Sequence, residues 1–197
     1  HLDHAGGAGL LMQQLPNAKA VLHPRGAPHM IDPTRLIAGA TAEYGAEEIA
    51  RSYGRIEAIP EHRVVVAEDG HRIDLAGREL VLLHTPGHAL HHYCVWDARS
   101  RSWFTGDTFG ISYRELDSAQ GAFIFPTSSP VQFDPEAMKA SIRRMLDYAP
   151  QAMYLTHYGR VEQVEKLADD AAVTAVLAMD IELNAQGLAC WLDRISK

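Results

Sequence analysis

The chain has 197 residues, 47% of them hydrophobic, which is enough apolar surface for a real core. Its 18 basic residues stand against 25 acidic ones; the net charge of −7, with no basic cluster, excludes a nucleic-acid or anionic-membrane surface. No apolar run reaches the about 18 residues needed to cross a bilayer, and two cysteines far apart in sequence, Cys94 and Cys190, read as reduced and structural rather than as a disulfide framework.

The chain opens on His1-Leu2-Asp3-His4, which puts two imidazoles and a carboxylate within four positions. Borderline cations such as zinc favour donors of this kind. The small-residue run 5–9 follows, and Leu10, Leu11 and Leu15 recur at near-helical spacing, so a short helix is predicted to start at the glycines with its positive end beside Asp3. Residues 18–23 form a short strand. Pro24 and Pro28 then hold an extended loop in which His23 and His29 are surface or ligand-supporting groups. Asp32 caps a helix that has Pro33 at its first position and runs toward Tyr44, and residues 46–53 make a second helix stopped by Gly54. Together these predict a helical insert over about 32–54.

Residues 63–67 and 72–75 flank Glu68-Asp69-Gly70, which reads as a hairpin turn. Residues 79–84 are a more buried strand, and residues 91–96 and 101–104 pair around the turn 97–100. From Phe109 to Phe133 no period holds; Phe109, Tyr113, Phe123, Phe125 and Phe133 predict an ordered loop that lines or covers a pocket. Asp134-Pro135-Glu136 starts a helix to about Tyr148 with Met138, Ile142, Met145 and Leu146 on one face. A strand over 152–155 follows, and 161–197 reads as mostly helical. No internal repeat is present. This succession predicts an α/β layered domain.

Three further stretches share one design. Leu80-Val81-Leu82-Leu83 leads into Thr85-Pro86-Gly87-His88; Trp103-Phe104 leads into Thr105-Gly106-Asp107-Thr108; Met153-Tyr154 leads into Leu155-Thr156-His157-Tyr158-Gly159. Each is an apolar run ending in a tight turn that carries one ligand-type side chain, and strand ends held by a rigid sheet are where sites are built. The 11 histidines point the same way, to metal or acid–base work.

These motifs, in this order, resemble the metallo-β-lactamase superfamily of metallohydrolases. The resemblance covers nearly the whole chain and rests on His-x-Asp-His-Ala-Gly-Gly, Thr-Pro-Gly-His, Gly-Asp-Thr and Thr-His-Tyr-Gly. It implies an αββα sandwich over residues 1–197 with two divalent metal ions, zinc first and iron or manganese next. It implies that His1 and His88 hold one ion, Asp3, His4 and His157 the other, and Asp107 bridges both. The family's first histidine would lie two residues before His1, so the expectation is a chain that lacks its N-terminal strands and one ligand.

The activity the resemblance implies is cleavage of a small-molecule ester, thioester or lactone by a metal-bridging hydroxide. Asp3 would serve as a catalytic group that takes up a proton as the intermediate collapses. His91 and His92 begin a strand where neighbours face opposite sides; His92 is the candidate substrate contact or ligand-supporting group, and Tyr158 a candidate contact to a substrate oxygen. Phe109-Gly110-Ile111-Ser112-Tyr113-Arg114 stands where the glyoxalase II and persulfide dioxygenase types carry Gly-x-Gly-Arg, which disfavours both. The competing expectations are a mononuclear iron dioxygenase of sulfur compounds and a metal-poor binding scaffold. The partner expected is a small molecule, without nucleic acid or membrane; a cytoplasmic location and a homodimer complete the expectation.

Overall fold

The structure, a computed structural model, describes residues 1–119, 121–127 and 132–169. The chain divides into two compact units, His1–Glu68 and Asp69–Lys197.

The first unit comprises α1 (Leu2–Ala5), α2 (Ala8–Gln14), β1 (Ala20–Leu22), α3 (Ala27–Ile31), α4 (Thr34–Tyr44), α5 (Ala46–Tyr53) and β2 (Val64–Val66). Helix α2 starts at the glycine run, with Gly7 as its N-cap, and His1-Leu2-Asp3-His4 itself winds into the additional turn α1. The loop expected between Pro24 and Pro28 is instead partly helical. Pro28 sits in the first turn of α3, where a missing N–H costs no hydrogen bond. His23 is buried, and its Nδ1 accepts the Arg25 N–H at 3.0 Å. Asp32 Oδ1 accepts from the Thr34 N–H (3.1 Å) and hydroxyl (2.6 Å) at the head of α4, and Gly45 at φ +86 separates α4 from α5.

The small core of this unit is Met12, Met30 and Ile59, packed with Ala5, Ala8, Ala18, Ala20, Leu22 and Val64. Arg63 closes it: the guanidinium donates to the carbonyls of Met12 (2.7 Å), Ala18 (2.8 Å) and Leu15, and the Met12 carbonyl lies in the last turn of α2, where helical partners are missing. Gly9 is held against Glu57 so closely that an added Cβ would lie 2.0 Å from the Glu57 carbonyl oxygen. Gly9→Ala is therefore expected to destabilise the protein by about 1–3 kcal/mol despite alanine's better helix propensity. Urea unfolding of the purified variant measures this, and an unchanged or raised midpoint would show that α2 shifts freely.

The hairpin expected around Gly70 does not form. Strand β2 pairs in parallel with β1, Ala20↔Val64 through Leu22↔Val66. Gly70, at φ +77, gives its N–H to Leu82 O (2.8 Å) and leads the chain onto another sheet. The local turn chemistry is the same in both outcomes; which strand receives the ladder bonds is a long-range decision.

The second unit is built on six strands: β3 (His71–Asp74), β4 (Glu79–His84), β5 (Tyr93–Asp97), β6 (Ser102–Gly106), β7 (Ala152–Leu155) and β8 (Gly159–Val161), in that order across a mixed sheet. Only β6 and β7 are parallel; the other neighbours are antiparallel. Helix α6 (Pro135–Leu146) makes the crossover between them, capped by the Asp134 carboxylate, which accepts the Ala137 N–H at 3.0 Å. Its buried residues Met138, Ile142 and Met145 join one face of the sheet, where the register aligns Val81, Trp96, Trp103, Met153 and Val161 in a single row. The Trp103 indole N–H donates to Met145 O at 3.0 Å, tying sheet to helix.

Strand β8 was not expected; three residues are too few for a readable alternation. The helix predicted from residue 161 begins at 164 and is described to 169, and the remainder of that prediction, with Cys190, lies outside the described residues. The aromatic stretch after β6 divides: Phe109 is fully buried in the core, whereas Phe125 is half-buried between Tyr113 and Phe123. The Cys94 thiol is pushed up to about 12 by burial and contacts Thr85 Oγ1 at 3.2 Å, the state of an inert structural cysteine.

Asp97, fully buried at the end of β5, accepts from the Arg78 guanidinium, the Ser100 hydroxyl and the Arg99 N–H. The Arg78 hydrogen bond is the main reason its carboxyl lies well below the usual carboxylate range. A carboxyl depressed in the folded state stabilises above the unfolded value of about 4 and loses that contribution as pH falls toward the folded value. Asp97→Asn should therefore be clearly less stable than wild type at pH 7, with the gap narrowing on acidification. Thermal unfolding at stepped pH tests this; a gap independent of pH would mean that Asp97 acts through its shape alone.

Candidate metal centre

In the first unit, His1 stands at the N-cap of α1, and its carbonyl accepts the Ala5 N–H at 3.0 Å. The next residues of that turn bring Asp3 Oδ2 to 3.2 Å from His4 Nε2. All three side-chain-bearing residues are exposed.

In the second unit the ladder directions set the geometry. With β5 antiparallel to both β4 and β6, and β7 parallel to β6, strands β4, β6 and β7 run the same way. Their carboxyl ends therefore meet at one edge of the sheet, and His88, Asp107 and His157 each follow one of those ends. The Thr-Pro-Gly-His turn reaches this edge only because Gly87, at φ +136, lies flat against the start of α6. A Cβ there would come within 2.3 Å of Met138 Cα, and Gly87 O accepts the Asp134 N–H at 2.7 Å.

The three side chains converge. His88 Nε2 lies 3.3 Å from Asp107 Oδ2, and His157 Nε2 lies 3.5 Å from Asp107 Oδ1. One carboxylate thus has an imidazole on each oxygen. His88 and Asp107 are buried, and His157 is partly open to solvent. His88 Nδ1 faces the carbonyl of Thr127 at 3.1 Å. A carbonyl only accepts, so Nδ1 carries a proton, and in the neutral ring the Nε2 lone pair then faces the carboxylate. Two acceptors set face to face call for a cation between them. Donor atoms in a tetrahedral site with bonds of about 2.0–2.1 Å are about 3.3–3.4 Å apart, which matches the spacing here. The donor set therefore fits divalent ions with a preference for nitrogen and oxygen.

The supporting groups were mostly invisible in the sequence. Thr127 serves two of the three: its carbonyl takes the His88 proton and its hydroxyl donates to Asp107 O at 2.8 Å. It belongs to the aromatic stretch after β6, which has no period to read. His92 directs Nε2 to the Asp107 N–H (3.1 Å) and Nδ1 to the hydroxyls of Thr85 and Thr108, both at 2.9 Å. Tyr158 donates to the Asp117 carboxylate (2.8 and 2.9 Å) with the Arg114 guanidinium over its ring. Burial, then the bond to Asp117, raises its hydroxyl above the usual tyrosine range.

The sequence profile described as the metallo-beta-lactamase superfamily matches residues 1–157, from the first candidate ligand to the last. The chain belongs to that superfamily. Its fold is accordingly the metallo-beta-lactamase fold, an α/β arrangement with a mixed sheet and helices. A metallo-beta-lactamase fold-containing protein of Sulfurisphaera tokodaii is 26% identical over 206 residues, covering 95% of this chain and 75% of its own. A crystal structure of an archaeal superfamily protein from Sulfolobus tokodaii matches with TM-score 0.66 and 24% identity, over 82% of this chain and 59% of that one. This chain thus spans about three-fifths of that structure's length. The protein TTHA1623, solved in a di-iron-bound form, matches with TM-score 0.52 and 25% identity over 87% of this chain and 72% of its own. Among the described residues, no helix of this superfamily member is long and apolar enough to cross a membrane.

Proposed function

We propose that the chain is a metal-dependent hydrolase of a small-molecule ester, thioester or lactone, working with two divalent ions, zinc foremost. The observation that carries this reading is Asp107, whose two oxygens each face an imidazole nitrogen at 3.3 and 3.5 Å. On this reading His88 and His157 would each help hold one ion, and Asp107 would serve both. The resemblance to the superfamily implies that His1 would share the ion of His88, and Asp3 and His4 that of His157. Bound divalent ions supply Lewis acidity and a water acidic enough to yield a nucleophile near neutral pH.

The chain's own residues do the rest. The Thr127 carbonyl keeps the His88 proton on Nδ1, so Nε2 remains a donor toward the centre. The partial exposure of His157 leaves one side of the site open to a substrate. Asp3 takes up the hydroxyl proton of the collapsing adduct and passes it to the departing alkoxide or thiolate; an Asp3→Asn protein assayed at saturating metal is expected to turn over slowly, and wild-type turnover would remove that role. The net charge of −7 favours a small neutral or cationic substrate over a polyanion.

Elemental analysis and an ester, thioester and lactone panel test the reading. About two zinc ions per chain are expected, with hydrolysis lost to a chelator and restored by zinc. Failure to retain or take up any metal would overturn it. So would an iron-loaded protein that consumes dioxygen and hydrolyses nothing on the panel.

A further inference from the structure

The backbone on either side of the Asp107 side chain is held by two side chains. Strand β6 ends at Gly106, whose φ of +51 turns the chain out of the sheet, so the Asp107 amide has left the ladder. That amide donates to His92 Nε2 (3.1 Å), and the Asp107 carbonyl accepts the Thr127 hydroxyl (2.8 Å). Fixing both peptide planes fixes the Cα–Cβ direction, and with it where the carboxylate points.

The ring of His92 is itself over-determined. An amide N–H only donates, so Nε2 is the acceptor and the proton sits on Nδ1. Thr108 gives its own hydroxyl proton to Thr85 O (3.2 Å), leaving its oxygen to accept from that Nδ1–H at 2.9 Å. Thr85 and Thr108 are both fully buried. The ring stands edge-on to His88, with centroids 6.0 Å apart and planes at 82°. Glycine at 106 is what admits it, since a Cβ there would lie 2.5 Å from Nε2.

We propose that His92 is a positioning residue: its Nε2 holds the Asp107 amide, and through that bond it aims the carboxylate that serves both ions. The proposal rests on the metal-centre reading for its purpose, although the hydrogen bond can be observed without any metal. A histidine that merely fills space would be replaced by phenylalanine without consequence. One that acts through its acceptor would be rescued by glutamine, whose carbonyl oxygen can reach the same amide.

The test uses the full chain in two steps. In metal-free, nitrogen-15-labelled protein, NMR should show His92 as the Nδ1–H tautomer, with scalar coupling between Asp107 N and His92 Nε2. The opposite tautomer, or fast exchange of the Asp107 amide with solvent, would overturn the proposal. Zinc affinity is then measured by chelator competition, with the cobalt-substituted absorption spectrum as a second readout. His92→Phe is expected to lose about 10–100-fold in affinity and to shift the cobalt bands, while His92→Gln recovers most of both. Wild-type affinity and spectrum in His92→Phe, or a glutamine variant no better than phenylalanine, would overturn it. If His92→Phe does not fold, the glutamine variant and the NMR signature decide. A wild-type protein that binds no metal would remove the hydrolase reading, and the tautomer and coupling would still decide whether His92 holds the amide.

Discussion

Asp107→Asn is expected to abolish tight metal binding, lowering zinc affinity by more than the about 100-fold that marks the upper end for ligand-supporting residues. The substitution keeps the shape but removes the charge and puts an N–H₂ where one oxygen faced an imidazole. Because His88 and His157 sit on opposite oxygens, at 3.3 and 3.5 Å, one change disturbs both sides of the centre, whichever way the amide turns. Chelator competition on metal-free protein reads the loss, and thermal unfolding before metal is added controls for folding. Two zinc ions still bound at wild-type affinity would show that Asp107 is not shared between them.

The largest loss of stability is expected from Gly87→Ala. The residue has φ +136, which L side chains rarely adopt, and the new Cβ would lie 2.3–2.5 Å from Met138 Cα, N and Cβ. Strained backbone and overpacking together should cost roughly 3 kcal/mol or more. Two of the three close atoms are main chain, so trimming the partner in Gly87→Ala/Met138→Ala should not restore stability. Denaturant unfolding measures both variants. A single variant within experimental error of wild type, or rescue by the second substitution, would mean that the turn does not press on the helix backbone. The same substitution should weaken metal binding, because Gly87 precedes His88 directly.

Much of the candidate centre is legible because its signals are local. An apolar run ending in a small-residue turn marks a strand end, and three such turns carry His88, Asp107 and His157. The strand over residues 79–84 has its predicted bounds and the helix at Asp134-Pro135 its predicted start, because burial and capping are written in neighbouring residues. The pairing of β2 is not written in the sequence, since a turn at Gly70 is compatible with a hairpin or with a change of sheet. Thr127 is silent in the sequence because its contribution is a carbonyl and a hydroxyl, groups that carry no sequence pattern. His92 is visible as a histidine, but nothing in its neighbours shows which nitrogen is protonated or which amide it faces.

The sequence by itself determined the donor inventory, the strand ends that carry it and the family to which the chain belongs, because these depend on residue type and short-range period. The tertiary structure alone decided that β4, β6 and β7 run in one direction, which gathers three distant side chains at a single sheet edge. It also decided which buried groups hold the side chains of His88 and Asp107. Ladder partners and buried hydrogen bonds form between residues tens of positions apart, so they are selected by the packing of the whole unit rather than by any stretch of chain.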